Sequence, residues 1–185
     1  MAEDIEGREL LHLQGTQVKT SSMNIIRNRQ DIRIAAPSSI ENTQDADAWL
    51  ASMSDSGWRV FTDFRNWSNW IPGVHNAKQT DSEPPARGTK LQIERGYKTT
   101  SGSIDRWDPP RSLQISINLA AGEMAYGFSI ETSPKNAEMR ISLELERSLV
   151  GMRRIAAFFF KWRLQKLGQR ILANLAARIR PAKIL

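Results

Sequence analysis

Arg95, Tyr97 and Tyr126 stand out because of the company they keep. Apolar and polar residues alternate from Gly88 to Glu146, and these three fall on the phase otherwise held by Leu, Ile, Met and Phe. A guanidinium on an inward phase can bind a carboxylate in bidentate fashion or polarise a carbonyl, and a phenol can donate to a developing enolate. Arg95 has two readings. Either it reaches solvent from a strand end beside Gly96, or it enters a cavity, where a bare charge is costly unless a carboxylate, water or an anionic ligand meets it. For each tyrosine the plain alternative is a core residue whose hydroxyl finds a backbone carbonyl.

Other chemistry is narrowed by what the chain lacks. There is no cysteine among its 185 residues, which excludes disulfides, thiolate metal sites, iron–sulfur clusters and a cysteine nucleophile. Only His12 and His75 are available for a histidine-based metal site or a Ser/His/Asp triad, so no metal and no cofactor is expected. His75 follows Pro72-Gly73-Val74 in what reads as a solvated loop. Asp63 and Asp105 adjoin turns or helix ends, where aspartate commonly caps backbone donors.

Strands must position the three inward polar residues. Runs at 89–97, 103–107, 113–119, 124–131 and 137–146 are separated by Asp108-Pro-Pro110, Ala121-Gly122 and Ser133-Pro-Lys-Asn136, which describes an antiparallel meander. Parity then assigns Leu91 and Ile93, Leu113 to Leu119, Met124 to Ile130, and Met139 to Leu145 in steps of two to the inward face. Ahead of the meander, residues 1–30 read as a loosely ordered arm and Asp31–Pro37 as a half-buried strand. Residues 38–57 are polar apart from Ala48-Trp49-Leu50 and Met53, which fits a short helix or an insertion loop. Two short helices joined by a bend are expected between Trp58 and Pro72-Gly73. After Gly151 one helical stretch runs to about Arg180 and stops at Pro181.

That last stretch carries the basicity. The chain has a formal net charge of +6, yet residues 150–185 hold nine Lys or Arg and no acid, leaving 17 basic against 20 acidic residues elsewhere. Stepping 100° per residue puts Met152, Ile155, Phe159 and Trp162 on one face of the helix and Leu164, Ile171, Leu175 and Ile179 on nearly the opposite one. Either the helix bends near Lys161–Gly168, or its first half seals a cavity and its second half offers apolar residues elsewhere. Flanked by Lys166, Arg170, Arg178 and Arg180, this end reads as a solvated basic face or as a peripheral contact with an anionic membrane. Nucleic acid is not an expected partner, because the remaining residues are net acidic and no recognition motif is present.

Several ordered segments are similar to those of a known family: Ile34-Ala-Ala-Pro37, Trp58-Arg-Val-Phe-Thr-Asp-Phe-Arg-Asn-Trp-Ser-Asn-Trp-Ile-Pro-Gly-Val74, Gly88, and Ile104-Asp-Arg-Trp-Asp-Pro-Pro-Arg-Ser-Leu113. Over about residues 31–180 the chain resembles the START-like SRPBCC superfamily, and within it the polyketide cyclase/dehydrase group. The resemblance implies an α+β helix-grip fold: a curved antiparallel sheet, two short helices, and a long C-terminal helix over a deep cavity. Its members include lipid carriers and aromatic polyketide cyclases. Against that pattern residues 40–57 read as an insertion, expected to lie outside the core of a domain spanning 31–185.

The function expected on these grounds is the binding of a hydrophobic small molecule, a lipid or a polyketide-like metabolite, between sheet and helix. The alternative is a cyclase or dehydratase acting on such a ligand in the same cavity, with Arg95, Tyr97 and Tyr126 as catalytic candidates. The expected lining is Trp70, Ile93, Arg95, Ile115, Ile117, Tyr126, Phe128, Ile141, Leu143, Ile155, Phe159 and Trp162. With no run of eighteen apolar residues and no leader-like start, a cytoplasmic protein is expected.

Overall fold

Strict alternation over five successive runs leaves the chain little choice but strands, since a half-buried strand is the structure that repeats every second residue. A computed structural model of the protein describes residues 23–38, 40, 42–120, 122–150 and 154–179. In chain order these form β1 (Met23–Ala35), α1 (Thr43–Thr62), a short 3-10 helix (Phe64–Asn69), β2 (Asn76–Gln79), β3 (Lys90–Arg95), β4 (Lys98–Asp108), β5 (Ser112–Leu119), β6 (Gly122–Ser133), β7 (Glu138–Val150) and α2 (Arg154–Ala176). The strands make one seven-stranded sheet in the order β1-β7-β6-β5-β4-β3-β2. Every neighbouring pair is antiparallel.

Register carries the parity across the sheet. Ile115 faces Tyr126, which faces Leu145, while Leu113, Phe128 and Leu143 form the next row. All six are buried, together with Leu91, Ile93, Ile104, Ile117, Met124, Met139 and Ile141. One irregularity interrupts β4, where the pairing with β5 slips between Ile104 and Arg106.

Three expectations are corrected. First, the strand expected from Asp31 begins at Met23, because β7 extends to Val150 and offers a partner along the whole length; Ile26, placed in the arm from sequence, is buried. Residues 1–22 lie outside the described residues.

Second, residues 43–57 are no insertion outside the core. They are the first three-quarters of α1, a continuous 20-residue helix that runs on to Thr62. Ala46, Trp49, Leu50, Met53, Gly57 and Phe61 recur at helical spacing and are buried against the sheet and α2. Asn42 caps its start, accepting from the Asp45 backbone N–H at 2.8 Å. The expected pair of short helices is thus one long helix followed by a 3-10 turn. At Gly57 the helix comes so close to its neighbours that a Cβ there would lie 2.9 Å from Ile130 Cδ1 and 3.5 Å from Ile179 Cδ1.

Third, over its described side chains, from Phe159 onwards, α2 shows no switch of faces. Its buried positions, Leu164, Gly168, Ile171, Leu172 and Leu175, continue through Ile179 after its last turn, and Phe160 and Leu167 pack against the same core. This is a single stripe on an unbroken helix. Phe159 and Trp162, expected to seal the cavity, instead lie on the exposed side. Ile155 and Met152 have side chains outside the described residues. The second half of α2 rests on β1, where Gln30 Nε2 donates to the Gln165 carbonyl at 2.8 Å and Gly168 leaves room for the Gln30 carboxamide. Its end is tied down by Asn174 Nδ2, which donates to the Trp70 carbonyl at 3.3 Å, and by Arg178, which donates to the Asn69 carbonyl at 3.1 Å.

No helix of the described residues is long and apolar enough to cross a membrane. Among the same residues no group of three or more acidic or histidine side chains is placed to hold a metal ion.

Candidate functional site

Where α2 leaves the close contact with β1 and passes over the ends of β3, β6 and β7, it leaves a cleft of about 750 Å³. The sheet contributes Arg95, Met124 and Arg147; α2 contributes Phe160, Trp162, Arg163, Leu164, Lys166, Leu167 and Arg170. Half of this lining is cationic and half is apolar. None of it is acidic, and among the described residues none of the five cations forms an ion pair.

Arg95 owes its position to strand parity. It is the last residue of β3, two beyond the buried Ile93, and its Nη1 sits 4.0 Å from Met124 Sδ. Arg147 lies opposite Met124 on β7, so its side chain shares the inward phase. Its Nε is buried without a hydrogen-bond partner among the described residues. Burial, and then the charge of Arg95, hold the Arg147 guanidinium below its ordinary pKa.

Between these two cations and the core lies Tyr126. Its hydroxyl is buried and makes no hydrogen bond among the described residues. Burial raises its pKa, opposed by the Arg95 guanidinium, which stands close enough to favour the phenolate although outside hydrogen-bonding geometry. Two guanidinium groups without an ion-pair partner line the cleft and form a receptor for negative charge, with the unpartnered phenol behind them in the core, outside the lining itself. Each donor there lacks what an anionic oxygen would supply.

The other candidates are placed as follows. Tyr97 is not inward: it sits at the tip of the β3–β4 hairpin, fully exposed, because the strand ends at Arg95 and Gly96 turns the chain with φ +59°. Ile93, Ile115, Ile117, Tyr126, Phe128, Ile141 and Leu143 are in the packed core rather than among the residues lining the cleft. Phe128 stacks on Phe61 at 4.9 Å, and Trp70 meets Phe128 edge-on at 5.5 Å, so α1 fills the space above this part of the sheet. Trp70 is buried there, and also borders a separate groove beside Asn69 and Arg178. Trp162 does border the cleft, from its outer rim. His75 is exposed in a loop; Asp63 accepts from Asn66 Nδ2 at 2.6 Å at the end of α1, and Asp105 accepts from Ser103 and Ser116 on the outer face.

Of the ten lining residues the sequence reading names only Arg95 and Trp162; it misses Met124, Arg147, Phe160, Arg163, Leu164, Lys166, Leu167 and Arg170 as lining. A signal for Arg147 was present, since it continues the inward series Met139, Ile141, Leu143, Leu145 by one step.

A curved antiparallel sheet gripped by a long C-terminal helix, with a cleft where the two part, defines a helix-grip protein. The chain belongs to the family described as polyketide cyclase / dehydrase and lipid transport, whose model matches residues 55–180. Two solved structures similar to it are the di-domain ARO/CYC BexL from the BE-7585A biosynthetic pathway (15% identity, TM-score 0.59, covering 83% of this chain and 46% of that one) and the di-domain ARO/CYC StfQ from the steffimycin biosynthetic pathway (9% identity, TM-score 0.60, covering 84% and 51%). This chain therefore spans about half the length of each. At such identities the likeness concerns the fold. No curated protein matches the chain.

Proposed function

We propose that this protein holds a hydrophobic small molecule in the cleft under the middle of α2, with the molecule's anionic or strongly polarised end on Arg95 and Arg147. One observation carries the reading: a lining of five cations and five apolar side chains without a carboxylate. An ordinary protein surface pairs or solvates its arginines, whereas Arg147 keeps a buried Nε with no partner among the described residues. A volume of about 750 Å³ falls within the range of roughly 300–1,000 Å³ that suits small-molecule sites.

The test compares two fluorescent probes of similar shape, anionic anilinonaphthalene sulfonate and neutral phenylnaphthylamine. Tighter binding of the anion is expected, with Arg95→Met and Arg147→Met each weakening it by about 2–5 kcal/mol, as for removal of one partner of a buried charged contact. Neutral probe binding should change little. Equal affinity for both probes, unaltered by either substitution, would overturn the reading.

A second reading is favoured by Tyr126. A buried phenol without a partner, beside two cations, is suited to donate to a carbonyl oxygen as it gains enolate charge. In that case the cleft acts as a cyclase or dehydratase site on a polyketide-like ligand, and Tyr126→Phe lowers kcat with little change in KM. An unchanged kcat in that variant would leave the binding reading alone.

A further inference from the structure

The two ends of the sheet differ in character. Four large hydrophobic residues are exposed among those described: Ile25 at 49%, Tyr97 at 109%, Phe159 at 60% and Trp162 at 56%. All four lie at the end where the cleft opens. Ile25 is near the start of β1, opposite Ser148. Tyr97 tips the hairpin between Arg95 and Lys98, and Phe159 and Trp162 project from the first half of α2.

Cations surround Tyr97, Phe159 and Trp162, whereas Ile25 is on the outward phase of β1, where Arg27 is paired with Glu146 at 2.7 Å. Trp162, Lys166 and Arg170 follow one another at four-residue spacing along α2, flanked by Lys161 and Arg163, and Lys98 stands beside Tyr97. The acids nearby, Glu94 and Glu123, are on the outward phase of their strands, alternating with the buried Ile93 and Met124. Aromatic rings set among lysines and arginines match a bilayer interface, where the rings enter the headgroup layer and the cations meet anionic lipid.

We infer that this end of the molecule docks on an anionic phospholipid surface, with Trp162 and Tyr97 entering the headgroup layer and the cleft opening towards the bilayer. Charge chooses this occupant. The patch offers no carboxylate from α2, so a neutral surface leaves its cations unanswered, while phosphatidylserine-rich lipid answers all of them together. In this orientation the five cations of the cleft face the same lipid headgroups, and an amphiphile enters or leaves without crossing water.

The experiment is co-sedimentation with vesicles of phosphatidylcholine alone and of phosphatidylcholine with phosphatidylserine, at low and high salt. Binding is expected only to the anionic vesicles and is lost at high salt. The triple variant Tyr97→Ser, Lys98→Gln, Lys161→Gln alters none of the cleft lining. It should reduce vesicle binding at least about tenfold while the anionic fluorescent probe binds as before. Brominated lipid should quench wild-type fluorescence more than that of Trp162→Phe. Absence of binding to anionic vesicles, equal binding to both kinds, or a triple variant that binds as well as wild type would overturn the inference. So would a dimer in sedimentation velocity that the same three substitutions dissociate, since a second copy would then be the occupant.

Discussion

Tyr126 shows how one buried hydroxyl reports on its surroundings. Its ordinary pKa of 10.0 is raised chiefly by burial, so the folded state keeps a proton that the unfolded state releases. Above about pH 10 the unfolded chain therefore binds fewer protons than the native one, and stability falls as pH rises further. Tyr126→Phe removes that dependence. Its urea midpoint should decline less between pH 9 and 11 than that of wild type, by titration at each pH. At neutral pH the variant should be as stable as wild type or more stable by about 1 kcal/mol, because it no longer buries an unpaired hydroxyl. A clear loss of stability at neutral pH would mean the hydroxyl is hydrogen-bonded in solution, for example to a bound water.

At the scale of elements, α1 is the piece whose importance was least legible. The sheet announced itself through alternation that a polar-outside surface makes sharp, and Leu113, Ile115 and Ile117 or Met139, Ile141 and Leu143 could hardly be read otherwise. In α1 the buried positions are spread over sixteen residues among Asp and Ser, and their helical spacing is visible only when Ala46 and Gly57 count as core. Sequence parity brings Arg95 to the site and reaches Arg147 by one further step, but Phe160, Arg163, Leu164 and Leu167 need the actual course of α2 over the sheet. Deleting residues 43–57 should therefore abolish cooperative unfolding, and Trp49→Ala should cost about 3–5 kcal/mol, both measurable by thermal and chemical denaturation. Gly57 gives a finer check on how α1 packs. Ala there crowds only the movable tip of Ile130, touches Ile179 at ordinary contact distance and gains helix propensity, for a net change under about 1 kcal/mol. Leu cannot be accommodated as easily and should destabilise by about 1–3 kcal/mol.

For the whole molecule, α1 and the last turns of α2 fill one part of the sheet's concave face, and the middle of α2 overhangs an opening at the other. Packing and receptor are thus separated along a single sheet, which is why cleft substitutions such as Arg147→Met are expected to change binding without unfolding the protein. Strand order has a further consequence, in time rather than space. β1 pairs with β7 from Met23↔Val150 to Ala35↔Glu138, so β1 has no partner until all the intervening strands have been made. The hairpins β3–β4, β5–β6 and β6–β7 join near neighbours and can close early, whereas closing the long loop from β1 to β7 is slow. In pulse-labelled hydrogen exchange during refolding, amides of β5 and β6 should gain protection before those of β1. Until then β7 carries an open edge, and a nascent chain stalled before Val150 is the form of this protein most exposed to pairing with another strand.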